Sequence, residues 1–504
     1  MNTVKIQVYL KKCFFFLVAA ISLSLPAYSW DDVYKTHQAM TQHGFKLFLN
    51  KAASNRKYSG CRYRSDAIFT GVSIEKWNSI FMKKMEVKSN FEGWLTRAAT
   101  AADNRFDEKY SYILTTVGSA YSGLRHFYSP NNIKTPGARW LTDEYYLLLE
   151  NIIEKVNPCI DAITWGTSYT SNAYSWNNSL VLYKAAMENT IPANSSKYSL
   201  NGSVSREKLF AASYRALGET LHILQDMTVP AHVRNDAHTK PDVDTMENTI
   251  YENTVNTIMN GITPGWYTSD AGNISGLTTA ELMAKTAQFT NENFFSDDTI
   301  QGKNIQPKHP SVHTFPKPLL DDCSRETTKK LLLKSTSFYR NFSGYGSIPM
   351  AQEKLSSKIL QNVGNLLNVN INSCHIPADF AKKQAGVLIP IAVFGSSEIL
   401  DRFFPTITLN ANLATNNGVS TLVAKMVHLI NQDICWKASG LAAIEYSGPG
   451  EIWVNGKKAM DVTFQKGSMP SVSSGNVKSG DKIEVRVLAG ACEYRSPVLT
   501  VSAK

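Results

Sequence analysis

None of the seven cysteines stands in a CxxC spacing, which argues against a zinc site built from thiolates. After the first 29 residues no run is both long and apolar enough to span a bilayer, so no later transmembrane helix is expected. Charge is never blocked into a tail: the formal +10 is spread along the 504 residues, which favours anionic surfaces without choosing between phospholipid and nucleic acid. Internal repeats are also lacking, and with them a solenoid or propeller reading.

What is present begins with a leader. "MNTVKIQVYLKK" carries Lys5, Lys11 and Lys12, "CFFFLVAAISLSL" is an apolar core too short for a comfortable span, and "AYS" ends in small residues. These features predict a secretory signal at residues 1–29, cleaved before Trp30, and an exported, soluble mature chain. Loss of the three lysines takes +10 to +7, because the leader holds no other charged side chain. Cys13 leaves with it. Cys61, Cys159, Cys323, Cys374, Cys435 and Cys492 remain, an even set that allows up to three disulfides in an oxidising compartment.

From Trp30 to about residue 404 the pattern reads as helical. In "EKLFAASYRALGETLHILQDM" the residues Leu209, Phe210, Tyr214, Leu217, Leu221 and Leu224 recur near the 3.6-residue period. Helices are also predicted over 31–52, 75–102, 141–157, 277–294, 350–368 and 378–403, with surface loops from Ser296 to Pro349 around a short helix near Thr327 to Leu333. Beyond Pro405, "TITLNANL", "EIWVNG", "MDVTF", "KIEVRVLAG" and "SPVLTVSA" alternate apolar and polar residues between turns, as short strands do. The expected architecture is mainly α: a multi-helix domain over 30–404, followed by a small β-sandwich-like domain over 405–504.

"HILQDMTVPAH" carries the chemistry. On a helix His222 and Asp226 lie one turn apart and point the same way, a chelating pair. Pro230 ends the helix, which lets His232 face another part of the same cleft. Trp30 would open the mature chain, ahead of "DDVYKTHQAM" with His37. Further on come "AAD" with Asp103, "LRHFYSP" with His126, and "RNDAH" with His238. A lone histidine is usually structural, so His43, His375 and His428 are read that way, and His309 and His313 as exposed loop residues.

This order of motifs resembles the zinc-dependent phospholipase C and S1/P1 nuclease superfamily. The HxxxDxxxxxH element matches His222, Asp226 and His232; "HFYDP" is similar to "HFYSP" at His126, with Ser129 in place of aspartate; and 23 positions separate Asp103 from His126. The resemblance implies up to three zinc ions: one held by His126, His222 and Asp226, a neighbour by Trp30 (through its α-amino group and carbonyl), His37 and the shared Asp226, and a third by His232, His238 and a carboxylate. Glu247 is preferred for that carboxylate, with Asp242 and Glu252 as alternatives. Asp103 would be a ligand or general base. The implied activity is a secreted phospholipase C that hydrolyses the phosphodiester of glycerophospholipids such as phosphatidylcholine at a membrane surface. The alternative is a secreted single-strand nuclease or 3'-nucleotidase. A zinc-stabilised binding protein, with the β domain doing the useful work, is the reading from another class.

Overall fold

The computed structural model describes residues 35–54, 61–78, 81–102, 124–130, 160–193, 195–198, 200, 203–234, 236, 244–262, 276–303, 305, 317–330, 333–354, 373–416, 419–473 and 477–502. The longest helices follow the apolar period, and several begin at a capping side chain. In chain order they are α1 (Thr36–Ser54), α2 (Phe91–Ala101), α3 (Ala162–Thr167), α4 (Trp176–Glu188), α5 (Arg206–Asp226), α6 (Pro230–Val233), α7 (Thr245–Thr249), α8 (Glu252–Asn260), α9 (Thr279–Asn293), α10 (Ala378–Phe403) and α11 (Ile434–Ala438). Ser205, Asn90 and Asp161 cap α5, α2 and α3 by accepting backbone N–H groups, and Thr278 with Glu281 forms a capping box on α9. α5 is buried continuously from Leu209 to its end. Pro230 does not extend it but starts α6 from the first helical position, where a missing N–H costs nothing.

The expectation of a mainly α fold is corrected, because the described residues combine these helices with several antiparallel sheets. Much of the predicted helix 75–102 is a hairpin of β2 (Phe69–Asn78) and β3 (Phe81–Ser89), and α2 starts only behind the Asn90 cap. The segment is rich in β-branched and aromatic residues, which suit a pleated surface. It is seated by tertiary contact, Phe69 packing on Phe210 and Tyr214 of α5. The predicted loops and short helix within 296–349 are also corrected. There β4 (Ser324–Lys330), β5 (Leu333–Phe342), β6 (Gly346–Lys354) and β7 (Ser373–His375) make a four-stranded sheet in that order. Gly344 and Gly346, with φ of +78° and +74°, turn the chain between β5 and β6, so the Gly- and Ser-rich texture marks a hairpin rather than a loop. The start of the predicted helix 350–368 belongs to β6; 355–368 and 141–157 lie outside the described residues.

After residue 405 the described residues form two sheets. One pairs β8 (Ile407–Asn416), β9 (Val419–His428) and β12 (Val472–Ser473). The other contains β10 (Gly448–Val454), β11 (Lys457–Phe464), β13 (Lys482–Ala489), β14 (Cys492–Arg495) and β15 (Leu499–Thr500). β10 and β11 are joined by Asn455-Gly456, both at positive φ, as a two-residue hairpin requires. This second sheet takes its outermost strand from early in the chain: β1 (Cys61–Tyr63) pairs with β14, and the Cys61–Cys492 disulfide locks the register.

Among the described residues two apolar cores result. The larger unites Leu95 of α2, Tyr183 of α4 and Phe210 and Tyr214 of α5 with Ile452, Val485 and Val487 of the C-terminal sheet. The second gathers Val229, Met246, Phe294, Phe338, Ile348, Met350 and Leu388 under the four-stranded sheet. α1 serves both, with Phe45 and Phe48 in the first and Ala39 and Met40 in the second. No described helix is long and apolar enough to cross a membrane.

Candidate metal centre

Asp226 sits at the end of α5, where the chain passes from one core to the other, and its side chain is fully buried. Four imidazoles surround it. His126 Nδ1 lies 2.9 Å and His222 Nε2 3.2 Å from Oδ2, and the two ring nitrogens are 3.0 Å apart. His37 Nε2 approaches the other oxygen, Oδ1, at 3.6 Å, with its ring stacked on that of His222 at 3.9 Å. His232 turns away: its Nε2 meets Glu247 Oε1 at 3.3 Å, while Nδ1 is 3.9 Å from Asp226 Oδ2. The carboxylate is thus divided, one oxygen facing His126 and His222 and the other facing His37.

The rings are aimed by their second nitrogens. His222 Nδ1 lies 2.6 Å from the carbonyl of Ala99 on α2, His232 Nδ1 2.9 Å from that of His126, and His37 Nδ1 2.7 Å from Gln225 Oε1. An imidazole that donates Nδ1–H to an oxygen presents a bare Nε2 lone pair, the form a metal takes. Local sequence makes these contacts possible. α2 comes near enough to offer Ala99 because Gly218 of α5 lacks a side chain; a Cβ there would lie 2.6 Å from both Ala98 Cβ and the Leu95 carbonyl oxygen. Phe127 stacks on His232, with ring centroids 4.7 Å apart, and the Tyr128 N–H donates to the His232 carbonyl.

Burial alone would raise the Asp226 carboxyl. The charges of His222, His232 and His126 and the hydrogen bond from His126 override it and hold the group well below the usual carboxylate range. Among the described residues neither Asp226 oxygen takes a backbone N–H or hydroxyl donor. A fully buried carboxylate that faces only imidazole nitrogens is a donor set for a cation. His37, His222 and Asp226 offer ligand atoms within 4.8 Å of one another, so this group could hold a metal ion.

Beyond His232 lies an acidic layer. Burial, then the charge of Asp298, pushes the Asp236 carboxyl well above its ordinary value; burial, then Asp297, pushes Asp244 up to about 7. Beside them Arg234 is fully buried, its guanidinium donating to Thr299 Oγ1 and to the Asn291 and Lys317 carbonyls, and burial lowers it to about 9.

Of the residues singled out in the sequence, the fold brings together His37, His126, His222, Asp226, His232 and Glu247, all at most 3% exposed. Trp30, Asp103, His238 and Asp242 lie outside the described residues, as do His309 and His313. Glu252 is the first residue of α8. Ser129, where the resembled element has aspartate, is buried, with no hydrogen-bond partner for its hydroxyl among the described residues. His43 pairs with Asn256 and His428 with Asp433, both away from the cluster. Sequence reasoning missed Gln225 and the Ala99 carbonyl. Gln225 stood next to Asp226 within the chelating segment, but only the fold shows that it reaches His37. No protein-family model, curated protein or solved structure matches this chain.

Proposed function

We propose that the protein is an exported zinc-dependent phosphodiester hydrolase, a phospholipase C acting on glycerophospholipids such as phosphatidylcholine. The observation that supports this most is the convergence of three histidines, His37, His126 and His222, on one buried aspartate, with His232 and Glu247 as a second donor pair beside it. Imidazole nitrogen and carboxylate oxygen suit zinc. Bound there, zinc supplies Lewis acidity toward phosphate oxygens and acidifies water.

The chain's own residues do the rest. Asp226 can serve two ions, one oxygen toward the His126 and His222 side and the other toward His37, with Trp30 as a further ligand on that side. His232 and Glu247, with His238, would hold a third. The carbonyl of Ala99 and the amide of Gln225 keep two of the rings in the ligating tautomer. Asp103 is assigned the base that orients water. The imidazoles that face Asp226 favour its ionised carboxylate, the form that would coordinate a cation.

The test is one preparation of the mature chain beginning at Trp30, measured three ways: bound metal, release of phosphorylated headgroup from phosphatidylcholine vesicles, and cleavage of single-stranded DNA and RNA. We expect zinc at two or three per chain, headgroup release abolished by a chelator and restored by zinc, and little nucleic-acid cleavage. Robust nucleic-acid cleavage without lipid turnover would make the protein a nuclease of the same chemistry. Metal-bound protein inactive on all three substrates would overturn the enzymatic reading in favour of a zinc-stabilised binding protein.

A further inference from the structure

Gln225 precedes the bridging aspartate and is completely buried. Its amide makes three contacts on two other helices. Oε1 lies 2.7 Å from His37 Nδ1 on α1, while Nε2 donates to Thr41 Oγ1 on α1 at 2.9 Å and to Ser396 Oγ on α10 at 3.2 Å. Which end of the amide faces histidine is fixed by the hydroxyl behind it. Ser396 donates its own proton to the Ala392 carbonyl at 2.8 Å, so toward Gln225 it can only accept. The amide nitrogen must therefore face Ser396, and the amide oxygen must face His37. An oxygen at that position requires Nδ1–H on the ring, so that in the neutral imidazole the bare nitrogen is Nε2, toward Asp226 Oδ1.

The packing confirms that this contact is built in. Gly44 of α1 lies against α10 so closely that a Cβ would stand 2.7 Å from Ser396 Cβ. A side chain at residue 44 would push Ser396 away from the amide.

We infer that Gln225 is a positioning residue that sets the tautomer and orientation of His37 for metal binding, with Ser396 of α10 setting the orientation of Gln225. The inference rests on the metal reading of the site. It also makes the long helix α10, which supplies none of the candidate ligands, a determinant of metal affinity. Loss of such an outer hydrogen bond typically weakens a metal site by about 10- to 100-fold.

The test compares wild type with Gln225→Met, which fills the same volume without hydrogen bonds, and Gln225→Glu, which presents an oxygen acceptor to His37 whichever way the group turns. Zinc affinity is measured by competition with a chromogenic chelator, and the His37 tautomer by ¹⁵N NMR of ring-labelled, metal-free protein. We expect Met to weaken zinc binding by about 10-fold or more and to free the His37 ring from the Nδ1–H form. We expect Glu to remain within about threefold of wild type and to keep that form. A simple packing role predicts the reverse order, with Met tolerated and Glu disruptive, and that result would overturn the inference. Should wild type bind no zinc, the metal reading fails, and the spectra still decide the positioning role. An Nδ1–H ring in wild type that is lost in Gln225→Met sustains it, and identical spectra in the two proteins refute it.

Discussion

Asp226 and Glu247 are both buried carboxylates beside histidines, yet they stand in different positions. Asp226 faces His126 and His222 with one oxygen and His37 with the other, whereas Glu247 meets His232 on one side. On the proposed metal reading, Asp226→Asn would remove negative charge shared by two ions, and Glu247→Gln a ligand from one. Asp226→Asn is therefore expected to lose two zinc equivalents and at least about 100-fold in activity, and Glu247→Gln one equivalent and a smaller fraction of the rate. Metal analysis of the dialysed variants alongside initial rates checks this, and equal zinc and equal rates in both would refute the shared role of Asp226. Ser129, buried, carries a hydroxyl where the resembled family has an acid.

At the scale of elements, the site depends on how closely α2 and α5 approach. Glycine inside a helix normally costs about 1 kcal/mol relative to alanine, yet α5 carries Gly218 one turn before His222. The reason is steric: a methyl group there meets the Leu95 carbonyl and the Ala98 side chain at 2.6 Å. Gly218→Ala should improve helix propensity and still destabilise the protein by roughly 1–3 kcal/mol, because α2 must shift within a packed core. The same shift carries Ala99 away from His222. Urea denaturation of the variant should show a lower midpoint, and its zinc affinity should fall. An alanine variant of wild-type stability and affinity would mean that α2 can move without disturbing the site. The β2–β3 hairpin shows element-level context in another form. Its sequence reads as helix in a window that includes α2, and only the seat offered by Phe210 and Tyr214 on α5 separates the two.

Across the whole molecule, the strands after residue 405 are joined to the helices by more than a linker. β1 contributes to their sheet, Cys61 is bonded to Cys492, the Ala491 N–H donates to the Tyr214 hydroxyl, and Arg206 donates to the Ser447 carbonyl. Gly490, at φ +58°, lies where a Cβ would stand 2.3 Å from the Tyr214 hydroxyl. A chain ending at residue 404 would expose Phe210 and Tyr214 of the larger core, so it is expected to be insoluble or unfolded rather than a freed catalytic unit. Cys61→Ser with Cys492→Ser should fold but lose about 2–4 kcal/mol, the usual contribution of a disulfide that limits the unfolded chain. Thermal melts of the wild type with and without reductant should reproduce the difference, and melts insensitive to both changes would show that packing alone holds the sheet to the helices. A role for the C-terminal sheets in docking to lipid is then best tested with surface substitutions that keep this core intact.

The sequence alone determined the candidate ligands that lie close along the chain. His222 and Asp226 fall one helical turn apart whatever the rest of the protein does, and Pro230 must end that turn before His232, because helix geometry and the missing proline N–H are local facts. The long helices α9, with its capping box, and α10 and the alternating C-terminal strands were legible for the same reason. The tertiary structure decided what local period cannot encode. It determined that 69–89 and 324–354 pair as strands, because pairing depends on partners and on the surface beneath, and that Cys61 finds Cys492 among fifteen possible pairings. It brought His37 and His126 to Asp226, and it turned Gln225 and the Ala99 carbonyl toward the rings, contacts 188 and 123 residues apart in sequence. Those choices are made by burial: a carboxylate taken out of water at the meeting of two cores must be met by whatever nitrogen-bearing groups the packing brings to it.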